Sequence, residues 1–116
     1  MRGFQELVVW QRAMELCKEI YLVSAKLPEE ERFGLVQQLR KAAVSVPSNI
    51  AEGYSRQTTG DYRHHLQMAC GSTGEIQTQL MIADQLKMLT PGTATKAMNL
   101  AEECMKILAT MVSKLR

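Results

Sequence analysis

Aromatic side chains are scarce in this chain, with one Trp, three Tyr and two Phe among 116 residues. Strands rely on aromatic and β-branched residues to cover their pleated faces, so the shortage disfavours a sheet fold. It also leaves little material on which exposed bases would stack. Cysteine is equally sparse. Cys17, Cys70 and Cys104 are odd in number, far apart and without a CxxC pair. That pattern argues against a disulfide framework or a zinc site and reads as small reduced core residues of a cytosolic protein. Neither charge sign dominates: 14 Lys and Arg against 12 Asp and Glu leave a formal +2. So mild an excess announces neither a nucleic acid nor an anionic membrane unless the cations cluster.

Chemical motifs are missing as well. A ferritin-like di-metal bundle needs Glu-x-x-His on two helices, and no Glu-x-x-His occurs. Asp61, His64 and His65, with Glu52 and Glu75, are therefore expected to be polar surface and not a metal site. Gly71 and Gly74 fall inside a helical pattern with no strand before them, so they form no phosphate loop. Cys17 and Cys104 have no histidine close in sequence and Cys70 falls among core positions, so no thiol nucleophile is indicated. No apolar run is long enough to cross a bilayer. Gln5, Glu6, Gln11 and Arg12 interrupt the apolar residues of the opening segment, which excludes a signal-peptide core there. The expectation is a cytoplasmic, non-catalytic protein without metal, cofactor or membrane contact.

What the chain does carry is helical period, over a length suited to one domain spanning 1–116 with a single core. Phe4, Leu7, Trp10, Ala13, Met14, Cys17, Ile20, Tyr21 and Ser24 recur at spacings of three and four and predict a helix ending near Lys26. Pro28, followed by Glu29, Glu30 and Glu31, predicts the start of a second helix. Its apolar positions Leu35, Leu39, Ala42, Ala43, Val46, Ile50 and Tyr54 run in phase straight through Pro47. Thr58 or Thr59, with Asp61 in the first turn, predicts the cap of a third helix. Tyr62, Leu66, Ala69, Thr73, Ile76, Leu80, Ala83 and Leu86 keep its period. Thr90-Pro91-Gly92-Thr93 closes that helix. The fourth carries a seam of Ala94, Met98, Ala101, Met105, Leu108, Val112 and Leu115. Short connections then predict an all-α, antiparallel up-down-up-down four-helix bundle.

Pro47 needs its own account, because a proline in a helix interior removes a hydrogen bond and crowds the preceding turn at a cost of about 3 kcal/mol or more. Turning back near residue 58, helix three brings its small residues Gly71, Ser72, Thr73 and Gly74 to the level of Ala42, Ala43 and Ser45. This alignment predicts a close crossing, with the hydroxyl of Ser72 or Thr73, or a trapped water, bonding the Ala43 carbonyl that Pro47 frees. It also predicts a bend wrapping helix two around helix three. Glu75 is expected near Arg40 and Lys41, and Glu52 near His64 or paired with Arg56 at i+4.

The stretches "LRKAAVSVPSNIAEGYSR" and "DYRHHLQMACGSTGEIQTQL", with "LVVWQRAMEL" before them, resemble a bacterial four-helix-bundle family. It is named after proteins encoded in intervening sequences of 23S, the large-subunit ribosomal RNA. The most specific positions are Asn49, Glu52, Gly53 and Arg56 in the first stretch and Gly71, Ser72 and Glu75 in the second. The resemblance implies a protomer that closes into a homopentameric ring. It further implies similarity to the accessory protein of diversity-generating retroelements, a basic pentamer that binds a reverse transcriptase and nucleic acid. Family membership alone assigns no function.

On that basis Arg2, Arg12, Lys18, Arg40, Lys41, Arg56, Arg63 and His64 are the candidates for contacting RNA or DNA. Pro47, Asn49, Glu52, Gly53, Gly71, Ser72 and Glu75 are expected to be structural. A ring would multiply the modest charge of one protomer and align it along a rim or channel. The alternative is a protein-binding scaffold that never touches nucleic acid. Met98 and Met105 are expected in the core, while Met81, Met88 and Met111 are open to an interface.

Overall fold

The computed structural model describes residues 3–115. A short 3-10 turn, Phe4–Glu6, precedes α1 (Val8–Ser24); a second, Glu29–Glu31, precedes α2 (Leu35–Tyr54); α3 (Thr59–Gln85) and α4 (Thr95–Lys114) complete the chain. α1 and α3 each pack on both α2 and α4, and among the described residues the diagonal pairs do not approach. Cross-helix contacts give the directions. Along α2 and α3, Gln38 meets Gln79, Ser45 meets Ser72 and Asn49 meets His65, so one helix descends as the other rises. On the opposite side Arg12 meets Glu103 and Glu19 meets Lys96, again antiparallel. The result is the expected square bundle, 43 Å long and about half as wide.

Local chemistry explains where the helices start and stop. Thr58 is extended and its Oγ1 accepts the Asp61 amide at 3.1 Å, so it caps α3 as its residue type predicts. The expected start of α2 at Pro28 needs correcting. Pro28 opens only the 3-10 turn, and α2 begins after Gly34, where a Glu31 carboxylate oxygen accepts the Leu35 amide at 3.2 Å. α3 stops at Gln85, before the Pro-Gly signal. Lys87 takes the left-handed conformation (φ 54°), the Met88 amide bonds the Ala83 carbonyl and the Lys87 amide bonds that of Asp84. This is the helix-ending pattern usually built on glycine.

The core is aliphatic. α2 and α3 bury most of the expected residues, among them Leu39, Val46, Ile50, Leu66, Ile76 and Leu80, whereas Tyr54 and Leu86 are exposed. On α1 the buried stripe is Val9, Ala13, Leu16, Ile20 and Val23, and the expected Met14 and Tyr21 are exposed. Two apolar stripes share α1, and the branched aliphatic one fits the interior while the bulkier one borders it. On α4 the buried residues are Ala97, Leu100, Ala101, Cys104 and Leu108, with Met98 and Met105 half-buried at their edges.

Pro47 is buried within a continuous α2. The expected bond from Ser72 or Thr73 to the Ala43 carbonyl is not formed. Thr73 Oγ1 donates to Ala69 O in its own helix at 2.8 Å, and Ser72 Oγ bonds Ser45 Oγ at 2.9 Å. Support comes from α2 itself, where Ser48 Oγ donates to Val44 O at 2.7 Å and Asn49 Nδ2 to Ser45 O at 3.0 Å. Side-chain donors thus brace the two carbonyls that follow Ala43.

Candidate functional site

The α2/α3 seam gathers the residues that single out this sequence. His65 Nδ1 lies 3.1 Å from Asn49 Oδ1, which can only accept, so Nδ1 carries the proton. Asn49 Nδ2 in turn donates to both the carbonyl and the hydroxyl of Ser45, and Ser72 Oγ donates to that same hydroxyl oxygen. Four side chains on two helices form one connected relay. It is His65, not the expected His64, that faces α2; His64 is exposed and meets the His65 ring edge-on. Glu52 does not approach His64 either, because Arg56 one turn later holds it at 2.6 Å.

Further along, Gln38, Lys41, Ala42, Ser45, Ser72 and Glu75 line a groove of about 430 Å³. Lys41 and Glu75 face it without forming an ion pair among the described residues. Glu75 Oε2 instead accepts from Gln79 Nε2, which also reaches Gln38 Oε1, both at 3.3 Å. Gln79 is 5% exposed and its Oε1 has no hydrogen-bond partner among the described residues. The expected approach of Arg40 to Glu75 does not occur. Arg40 turns to the other side of α2, with Nε on Ser24 Oγ at 2.8 Å, Nη2 on Tyr21 O at 3.3 Å and its guanidinium 4.7 Å from the Tyr21 ring centre.

The close crossing expected at Gly71 and Gly74 falls instead at Gly53. A Cβ on buried Gly53 would stand 2.7 Å from His65 Cβ and 3.1 Å from Tyr62 Cδ1, so Gly53 is the residue that lets α2 and α3 close together. Gly71, expected at a close crossing, points outward, and a Cβ there would meet nothing within 4 Å. Gly74 faces α4, where Met105 Cε lies 3.8 Å from the site of a Cβ. The chain therefore bears the helix-weakening cost of Gly71, about 1 kcal/mol relative to Ala, without using the space it leaves.

The basic candidates are not brought together. Arg40 and Arg63 both serve neighbouring helix ends: Arg40 bonds a carbonyl in the last turn of α1, and Arg63 Nε donates to Val112 O in the last turn of α4 at 3.2 Å. A cation there complements the negative end of the helix dipole. Arg12 pairs with Glu15 at 2.9 Å and with Glu103 of α4 at 3.0 Å. Glu103 first, then Glu15, raises the Arg12 pKa above its ordinary value. Arg56 is held by Glu52, while Lys18 and Lys41 are exposed with no ion pair among the described residues. Arg2 lies outside the described residues.

Sequence reasoning missed the capping roles of Arg40 and Arg63 because their partners are distant in sequence. It names Gly53 as structural without its reason, because only the neighbours on α3 show what its missing Cβ makes room for. The thiols are all free, and burial raises their pKa, that of Cys104 to about 12. No group of three or more His, Cys, Asp or Glu among the described residues is placed to hold a metal. No helix among them is long and apolar enough to cross a membrane.

The fold has a solved counterpart. A crystal structure of a protein of unknown function from the S23 ribosomal protein family, from Bacteroides thetaiotaomicron, superimposes with a TM-score of 0.84. It is 22% identical, and the match covers 90% of this chain and 98% of that one. At that identity the likeness shows the fold. No curated protein sequence matches the chain. The model of the 23S rRNA-intervening sequence protein family matches residues 5–110, nearly the whole bundle and the entire α2/α3 relay. The chain belongs to that family.

Proposed function

We propose that the protein is a non-catalytic helical scaffold that self-associates in the cytosol and works through protein contacts. The observation that carries this reading is how its polar side chains are used. His65, Asn49, Ser45 and Ser72 are joined in the seam, Glu52 is paired with Arg56, and Arg40 and Arg63 are spent on helix ends. Apolar side chains, by contrast, stand free. Phe33 is 81% exposed and Leu86 62%, and with Leu22 and Met81 they belong to the end of the bundle where α1 and α3 finish. A surface of this kind suits contacts between folded proteins. Three cysteines, all free, suit a reducing compartment.

Native mass spectrometry and light scattering test the reading. A defined oligomer supports it, five copies being the number the family resemblance implies, and a monomer at ~100 µM, a concentration at which even weak specific association is visible, overturns it.

A second reading keeps nucleic acid, or an enzyme acting on it such as a reverse transcriptase, as the partner of the assembled oligomer. Lys18 and Lys41 favour it, being exposed cations without an ion pair among the described residues. Copies in a ring would repeat them along one rim. Binding of this kind falls steeply with salt, and Lys18→Glu should weaken it at every sequence tested. Absence of RNA or DNA binding by the oligomer at low salt leaves the protein-only scaffold.

A further inference from the structure

Phe33 stands out among the exposed apolar residues, with 81% of its surface open to solvent and the Arg32 guanidinium 5.4 Å from its ring centre. The two residues belong to the connection between α1 and α2. On the other side of the square, α3 and α4 leave a cavity of about 620 Å³, walled by Leu80, Met81 and Met98 with Asp84 and Asn99 beside them. That is ample room for an aromatic ring. Knob and cavity also stand at about one height. Gln38 lies opposite Gln79, and Phe33 precedes the first by as many residues as Asp84 follows the second.

We propose that the cavity between α3 and α4 receives Phe33 of a neighbouring copy of this chain, each copy inserting into the next. The inference rests on the self-association proposed above and names the parts of the apolar bundle end that meet. Charge selects the occupant. Asp84 is exposed and without an ion pair among the described residues, and it answers Arg32, whose partner in its own chain is the 86% exposed Glu29 at 3.5 Å. Glu29 and Glu30, beside Arg32, are answered by Lys87, two residues past Gln85 of the cavity wall. A surface whose charges match those of another surface on the same chain suits a second copy.

Height selects the assembly. The α1/α2 and α3/α4 sides are opposite edges of the bundle. A knob on one and a cavity on the other, at one height, are joined by rotation about an axis parallel to the helices, which closes a ring; an offset in height would build a filament. Such a contact is head-to-tail, so an odd number of copies, five included, closes as readily as an even one.

Two variants of the full-length protein test this by sedimentation equilibrium and native mass. Phe33→Ser removes the knob, and Asn99→Trp fills the cavity from α4; both positions are exposed, so circular dichroism should show full helicity. Each should weaken the subunit contact at least ~30-fold and leave monomers where the parent is assembled. Mixed in equal amounts at ~100 µM, they should form a one-to-one pair, because the cavity of the first still accepts Phe33 of the second. The pair cannot grow, since its other two surfaces are spoiled. An oligomer of unchanged mass in either variant overturns this assignment and leaves self-association standing. A wild-type monomer removes both. Variants that stay apart on mixing, or that grow beyond a pair, reject the head-to-tail contact.

Discussion

The two antiparallel seams α2/α3 and α1/α4 are held together by different means. The first is built from polar side chains passing hydrogen bonds between helices, closed over a glycine that admits no side chain. The second is spanned by two ion pairs, Arg12–Glu103 and Glu19–Lys96, outside a core of Ala97, Ala101, Cys104 and Leu108. Polar groups partly buried in a seam lose water on one side and must find partners, so the relay dictates one register. Partly exposed ion pairs dictate less, because water and salt replace them cheaply. The difference implies that register and spacing are set by α2 and α3, and that α1 and α4 are fastened on with more tolerance.

Gly53→Ala should disturb this contrast most. The added methyl has nowhere to go but into His65 Cβ and Tyr62, so the helices must separate. We expect a loss of about 2 kcal/mol by urea denaturation despite the better helix propensity of Ala. Asn49→Ala comes next. It removes the acceptor for His65 and one donor to Ser45, and should cost about 1.5 kcal/mol, with a His65 side-chain resonance shifted in NMR spectra.

Gly71→Ala, one helix over, carries the opposite sign. Measured where the chain is monomeric, it should stabilise by up to about 1 kcal/mol, because nothing lies within 4 Å of the new methyl. A stabilisation by Gly53→Ala, or a large loss from Gly71→Ala, would reverse the roles assigned to the two glycines. The smallest effect is expected at α1/α4. Glu103→Gln removes one ion pair that is about half exposed on both sides. It should lower the melting temperature less than either seam substitution does, and ~1 M NaCl should erase its difference from the parent.

Much of this was legible in the sequence, and the parts that were not have physical reasons. The α2/α3 register follows from a single turn near Thr58, since two continuous helices leaving one short turn can meet at only one set of levels. Helical phase through Pro47 was legible because apolar period sums over many residues while a proline acts at one. The buried stripe of α1 was not, because two stripes fit the same period and only three-dimensional packing chooses between them.

Arg40 and Arg63 could not be read either. Aligning the two helices puts Arg40 at the level of Glu75, whereas the acceptors of Arg40 and Arg63 are backbone carbonyls at distant helix ends. The end of α3 was hidden because Lys87, which is not glycine, supplies the left-handed residue. Gly53 and Gly71 look alike as letters, and only the neighbours of an imagined Cβ distinguish them.

Native-state hydrogen exchange followed by NMR tests the contrast between the seams most directly. The account predicts that amides of α2 and α3 around Ser45, Asn49 and Ser72 are the slowest to exchange, and that those of α1 and α4 around Arg12 and Glu103 open at lower free energy. Equal protection on both seams, or the slowest amides on α1 and α4, would contradict it.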